Sequence, residues 1–139
     1  MRYLGLDLGT RTLGTSISDI TGTIASSYQT IHFEEKEYDR VLPKIKDLVQ
    51  EYKIEKIVLG LPKNMNNSLG FRAEETIEFK EKLENYLNIE VILQDERLST
   101  VEATNYLLES DMSRKKRKKK VDSVAASIIL QTYLDKLKG

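Results

Sequence analysis

The stretch from Arg2 to Asp19, RYLGLDLGTRTLGTSISD, reads as two strands joined by a tight turn, with a carboxylate inside the first strand. Leu4, Leu6 and Leu8 fall on one face of a period-two strand, and Tyr3, Gly5 and Asp7 fall on the other. An unpaired charge buried in such a strand is costly, so Asp7 needs a compensating group. Gly9, Thr10 and Arg11 supply the turn, glycine being able to take a positive φ and to let other atoms approach the backbone closely. A second strand runs from Leu13 to Asp19, where Gly14 removes bulk beside the carboxylate. Taken alone, Asp7 fits a pair with Arg11 or a cap on the turn as well as a reactive role.

Outward from this hairpin, Gly22 marks another turn, and TIASSYQTIHF (Thr23 to Phe33) has the composition of a third strand, so three antiparallel strands open the chain. Val41, Leu42, Ile45, Leu48, Val49 and Tyr52 repeat at helical spacing and predict a helix from about Tyr38 to Tyr52, with Pro43 tolerated near its start. Ile54 to Leu61 reads as a buried strand stopped by Pro62, parallel to the first through a right-handed crossover. A polar loop, Lys63 to Leu69, precedes a helix from Gly70 to about Leu87. Ala73, Ile77, Phe79, Leu83, Tyr86 and Leu87 should face inward, Glu74, Glu75, Glu78, Lys80, Glu81, Lys82 and Glu84 outward, with Asn88 as the stop.

A short strand, Ile89 to Leu93, then ends in Gln94-Asp95-Glu96-Arg97, on the side where open α/β sheets place ligands. Ser99-Thr100-Val101-Glu102 fits a capping box and predicts a helix from about Thr100 to Glu109. Val121 to Leu137 is the last helix, and the small residues of its early turns let its backbone pack against the sheet and bring Asp122 near the first strand. The expected architecture is α/β: a five-stranded mixed sheet, three antiparallel then two parallel strands, flanked by about four helices in one domain, residues 1–139.

Composition narrows the chemistry. With 40% hydrophobic residues among 139, the chain can bury one core. The absence of cysteine excludes disulfides, thiolate catalysis and Cys-ligated metal centres. No basic stretch followed by an apolar run opens the chain, and no segment is long enough to span a bilayer, so a cytoplasmic protein without a membrane partner is expected. The formal net charge of +0 hides an asymmetry: RKKRKKK, Arg114 to Lys120, holds seven of the 22 basic residues, leaving 15 against 22 acidic ones elsewhere. A partner drawn to that run must be anionic and must dock at one place.

Three carboxylates stand at the end or inner side of an element: Asp7, Glu96 and Asp122. Singly, each has a bland reading, such as Asp122 as a favourable anion in a helix's first turn or Glu96 paired with Arg97. If the fold gathers all three, their repulsion demands a cation. Magnesium accepts carboxylate oxygens in octahedral geometry, and a pair of such ions about 3.5–4 Å apart can hold the attacking and leaving oxygens of a phosphodiester. The lack of a Cys or His cluster favours such a hard cation over zinc.

Four segments in order, LGLDLGTRTLGTSISD, IVLGLPKNMN, QDERLST and RKKRKKKVDSVAASIILQTYL, resemble the YqgF (RuvX) family of Holliday-junction-resolvase-like nucleases over nearly the whole chain. The resemblance implies a three-layer ribonuclease-H-like fold, with Asp7, Glu96 and Asp122 coordinating one or two Mg2+ or Mn2+ ions and water as the nucleophile. It implies processing of the 5′ end of 16S ribosomal RNA precursors, or, as the alternative, cutting of four-way DNA junctions in recombination and repair. The run from Asn66 to Arg72 departs from the family's more acidic DGSEGER-like run, which bears on substrate contacts.

The cations Arg114, Lys115, Lys116, Arg117, Lys118, Lys119 and Lys120 are candidates for phosphate binding beside such a centre, although like-charge runs also occur as solvated loops. Thr10, Arg11, Lys63, Asn64 and Arg97 are further candidates for backbone contacts. His32, the one histidine, reads as a surface or packing residue. Two rivals remain at this level. The Asp-Leu-Gly-Thr hairpin also resembles the phosphate-binding hairpin of sugar kinases and actin-like ATPases, which need a second domain; a non-catalytic nucleic-acid-binding module would rest on the basic run alone. The partner expected is an rRNA precursor or branched DNA, and the chain a monomer or weak homodimer.

Overall fold

The computed structural model describes residues 1–62, 70–95 and 114–138. The leading alternation becomes strand β1 (Tyr3–Leu8), from which β2 (Thr12–Ser18) returns antiparallel with Leu8 opposite Leu13 and Asp7 opposite Gly14. β3 (Ala25–His32) adds to β2, again antiparallel. β4 (Lys56–Leu61) and β5 (Val91–Asp95) run parallel to β1, Leu6 aligning with Leu59 and Leu59 with Leu93. The resulting order is β3-β2-β1-β4-β5, the five-stranded mixed sheet expected.

Each face of the sheet has its own cover, because β1 buries residues on both. Leu4, Leu6 and Leu8 join Ile57 and Leu59 beneath two helices, α1 (Leu42–Tyr52) and α2 (Phe71–Leu87), which contribute Ile45, Leu48, Phe79 and Leu83. Full burial of each Leu, Ile or Phe here stabilises the fold by about 1.5–3 kcal/mol relative to exposure. On the other face Tyr3 and Val58 meet Ile129, Leu130 and Leu134 of a 25-residue helix, α3 (Arg114–Lys138). Gly5 permits this close approach: a Cβ there would lie 2.7 Å from the Leu130 Cβ and 3.0 Å from the Ala126 carbonyl oxygen. Ser16, across from Gly5, donates its hydroxyl to that same carbonyl at 2.8 Å.

Several expectations are corrected. Pro43 splits the predicted helix at 38–52 into a 3-10 turn, Tyr38–Val41, and α1. An unbroken α-helix needs the amide of residue 43 to donate to Asp39, and proline has none, so the Leu42 amide takes that carbonyl instead. Gly9 does not adopt a positive φ; its value is room, since a Cβ there would sit 2.9 Å from the Thr12 hydroxyl oxygen. β5 starts two residues later than predicted, after Asn88 ends α2 in the left-handed conformation and Glu84 accepts the Val91 amide at 3.1 Å.

On α2, Tyr86 is 45% exposed rather than inward, with the Lys46 ammonium 5.8 Å from its ring centroid, and Thr76 is buried in the stripe instead. Glu75 is not solvated, because Lys36 and Tyr38 cover it. The basic run is not a loop before the last helix. Residues 114–120 are its first two turns, as the good helix propensity of Lys and Arg allows. The helix predicted at 100–109 lies outside the described residues.

Candidate active edge of the sheet

β1, β4 and β5 are mutually parallel, so their carboxyl ends share one edge, and each end carries a feature singled out by sequence. Asp7 is the penultimate residue of β1 and is half-buried. It shares a face with Tyr3 and Gly5, the face that α3 covers, and stands opposite Gly14, where no side chain competes for space. Glu96 and Arg97 follow directly on Asp95, the last residue of β5, and lie outside the described residues, as do Lys63 and Asn64.

The register of α3 on β1 fixes where Asp122 falls along the strand. The Tyr3 and Tyr133 rings are 6.0 Å apart, and Gly5 abuts Leu130 and Ala126, so α3 runs antiparallel to β1. From Gly5 to Asp7 the strand advances about 6.6 Å. From Ala126 back to residue 122 the helix advances about 6 Å. Asp122 therefore occupies the helix position level with Asp7. It is the ninth residue of α3, not part of a first turn, so the bland reading of a first-turn anion falls away. Among the described residues no three His, Cys, Asp or Glu side chains form a metal-binding group; Glu96 and the Asp122 side chain lie outside that set.

The turn after β1 is clamped from two sides. Thr10 accepts the Lys36 amide at 2.8 Å and Arg11 accepts the Phe33 amide at 3.0 Å, docking the 33–37 loop on the hairpin. Lys36 adopts φ 59° to do so, and its ammonium lies 3.6 Å from Glu75. Tyr38 donates to Glu75 at 2.5 Å, and burial first, then this bond, pushes the tyrosine up to about 12. Arg72, which sequence reasoning did not place, donates to the Leu8 carbonyl at 2.8 Å and ties the start of α2 to the end of β1. Its one sequence signal was its position in the first turn of a helix that follows a strand's carboxyl end.

Of the candidate nucleic-acid contacts, Arg11 is exposed and spans 3.4 Å to an equally exposed Glu35, a pair worth little in water. Residues 114–120 set seven cations at the N-terminal end of α3, where the helix dipole is itself positive. At the opposite end of the sheet, Asp19 has a structural role. The amides of Ile24 and Thr23 and the Thr21 hydroxyl donate to it and hold its carboxyl far below the usual range.

Residues 1–136 match the family described as "RuvX: Holliday junction resolvase". The chain belongs to the RuvX family. Among its RuvX-family relatives, one from Caldanaerobacter subterraneus subsp. tengcongensis is 50% identical over 140 aligned positions, covering 100% of this chain and 99% of the relative. Another, from Staphylococcus aureus N315, is 47% identical over 98% of this chain and 96% of the relative. Both carry the name "Putative pre-16S rRNA nuclease". The fold resembles Thermus thermophilus RuvC in complex with a Holliday junction substrate (TM-score 0.60, 13% identity, covering 100% of this chain and 96% of that one). It also resembles a fowlpox virus resolvase bound to Holliday junction DNA (TM-score 0.63, 14% identity, full coverage of both chains). The RuvX chain thus has the ribonuclease-H-like three-layer fold of these resolvases.

Proposed function

We propose that this RuvX-family chain is a metal-dependent nuclease that cuts phosphodiester bonds, processing the 5′ end of a 16S rRNA precursor. The observation that carries the reading is the common edge: Asp7 at the end of β1, the α3 position of Asp122 level with it, and Glu96 next after β5. The naming of relatives at 47–50% identity supports the RNA substrate over the DNA junctions bound by fold neighbours at 13–14%.

The donor set fits a hard cation. Asp7, Glu96 and Asp122 offer oxygen alone, the chain has no cysteine, and Gly14 leaves the place opposite Asp7 free of a side chain. These three residues would hold one or two Mg2+ or Mn2+ ions, which supply Lewis acidity at the scissile phosphate and activate water for attack. The protein's own part is to orient the carboxylates from a rigid sheet and to hold the substrate strand. Cations at a positive helix end repel one another and the dipole, and an incoming phosphate backbone relieves both, so Arg114 to Lys120 favour an anionic polymer. Thr10, Arg11, Lys63, Asn64 and Arg97 would add contacts along the same edge.

The deciding experiment compares wild type with Asp7→Asn on a precursor 16S RNA 5′ segment and on a four-way DNA junction, with magnesium or manganese. Cleavage of the RNA by wild type alone supports the proposal. Cleavage of the junction alone assigns the chain to recombination or repair. Binding of both without cleavage under either metal leaves only a nucleic-acid-binding module.

A further inference from the structure

The same edge of the sheet continues past Asp7 in the other direction, through the β1–β2 turn to the end of β3. His32, the last residue of β3, pairs with Thr12, the first of β2. Beyond it opens a cavity of about 550 Å³ lined by His32, Phe33, Glu34, Arg40 and Lys44. Asp7 aligns with Gly14 and Gly14 with Thr30, so two strand spacings and two residues of rise separate Asp7 from His32, about 12 Å between Cα positions. A stacked strand advancing about 3.4 Å per nucleotide covers that distance in three to four nucleotides.

Four of these five lining residues suit a nucleic acid strand. Phe33 is half-buried, packed edge-on against Tyr38 with 5.8 Å between ring centroids, and keeps part of its ring open for stacking. Arg40 pairs through its Nε with Glu37 at 2.7 Å, and Lys44 makes no ion pair among the described residues; both are exposed. His32 is exposed, and its imidazole can donate to a phosphate or a ribose hydroxyl. Glu34 is the one acidic member of the lining and opposes an anion. Resting on the nuclease reading above, we propose that this cavity is a subsite for the strand flanking the cut, with Arg40, Lys44 and His32 on its backbone and Phe33 under a base. It sets how many nucleotides lie between the anchored segment and the cleaved bond.

The test is binding without metal of a labelled single-stranded RNA of about 12 nucleotides, within the site sizes such proteins use. The DNA of the same sequence is run beside it, both across a salt series. Arg40→Ala with Lys44→Ala should weaken binding and flatten the log–log salt slope by about 0.7 for each phosphate no longer neutralised. Glu34→Gln should strengthen binding. Equal weakening on RNA and DNA identifies phosphate as the group recognised, and a larger effect on RNA for His32→Ala identifies the ribose hydroxyl; either upholds the subsite. Wild-type binding that Arg40, Lys44 and Glu34 substitutions leave unchanged overturns it while leaving the nuclease reading intact. No wild-type binding to either probe overturns the subsite, and the metal-dependent cleavage assay decides the nuclease reading by itself.

Discussion

Gly5→Ala tests the register on which the active edge depends. The added Cβ would meet the Ser16 hydroxyl, the Leu130 Cβ at 2.7 Å and the Ala126 carbonyl oxygen at 3.0 Å. Only the first is the end of a small side chain; the other two belong to the packed flank and backbone of α3, which must lift. Overpacking of this kind costs about 1–3 kcal/mol. Displacing the hydroxyl also strains the 2.8 Å Ser16–Ala126 hydrogen bond, worth about 0.5–1.5 kcal/mol net. The sum is about 2–4 kcal/mol. With an unfolding entropy of roughly 0.3 kcal/mol per degree for a chain of this length, Tm should fall by about 7–13 °C. Circular dichroism or calorimetry reads this directly, with a urea titration at constant m-value as the check. Ser16→Ala in the Gly5→Ala background should return part of the loss, a non-additivity that identifies the contact. A fall of less than about 2 °C would mean that α3 does not rest on β1 at Gly5. The level of residue 122 with Asp7 would then have no basis.

Replacing Lys115, Lys116 and Arg117 by glutamine should reduce the salt dependence of RNA binding by about 0.7 in slope for each phosphate left without its cation, while Tm holds or rises because like charges leave a helix N-terminus. Binding titrations at several salt concentrations and a thermal melt read the two effects, which have opposite signs. Asp19→Asn should be less stable than wild type at neutral pH, because the folded carboxyl titrates far below its ordinary 3.8. A depressed folded pKa contributes stability above the unfolded value and loses it as pH falls, so the urea midpoints of the two proteins should converge below about pH 4. Phe79→Ala, which empties a site only 1% exposed, should cost about 3–5 kcal/mol by chemical denaturation.

Local pattern carried the sheet into view. Alternation in 3–8, the glycine opposite Asp7 and the aliphatic run 56–61 are short-range signals, and the strands formed where they pointed. Asp7 stood out because a carboxylate in an apolar strand has few inexpensive explanations. The close seating of α3 on the sheet was readable from the small residues after Asp122, and Ala125 and Ala126 are indeed fully buried. What escaped was set by partners distant in sequence. Glu75 looks like one more charge on a solvated helix, yet the 33–37 loop closes over it. Arg72 gains its role from the Leu8 carbonyl, 64 residues away. The helical state of residues 114–120 was hidden by their charge, which dominates any reading of such a run although lysine and arginine favour helix.

Because α3 is one uninterrupted helix, its cationic start and its sheet-packed remainder form a single rigid shaft about 37 Å long. Angular phase is therefore transmitted along it. Inserting one residue between Lys120 and Ser123 would turn everything upstream by about 100° and shift it by about 1.5 Å, without altering a single charge. Inserting a whole turn would nearly restore the phase at a cost of about 5 Å in reach. The spacing between the basic run and the buried Ala125–Ala126 pair thus acts as a gauge, setting the direction from which an anionic strand meets the edge.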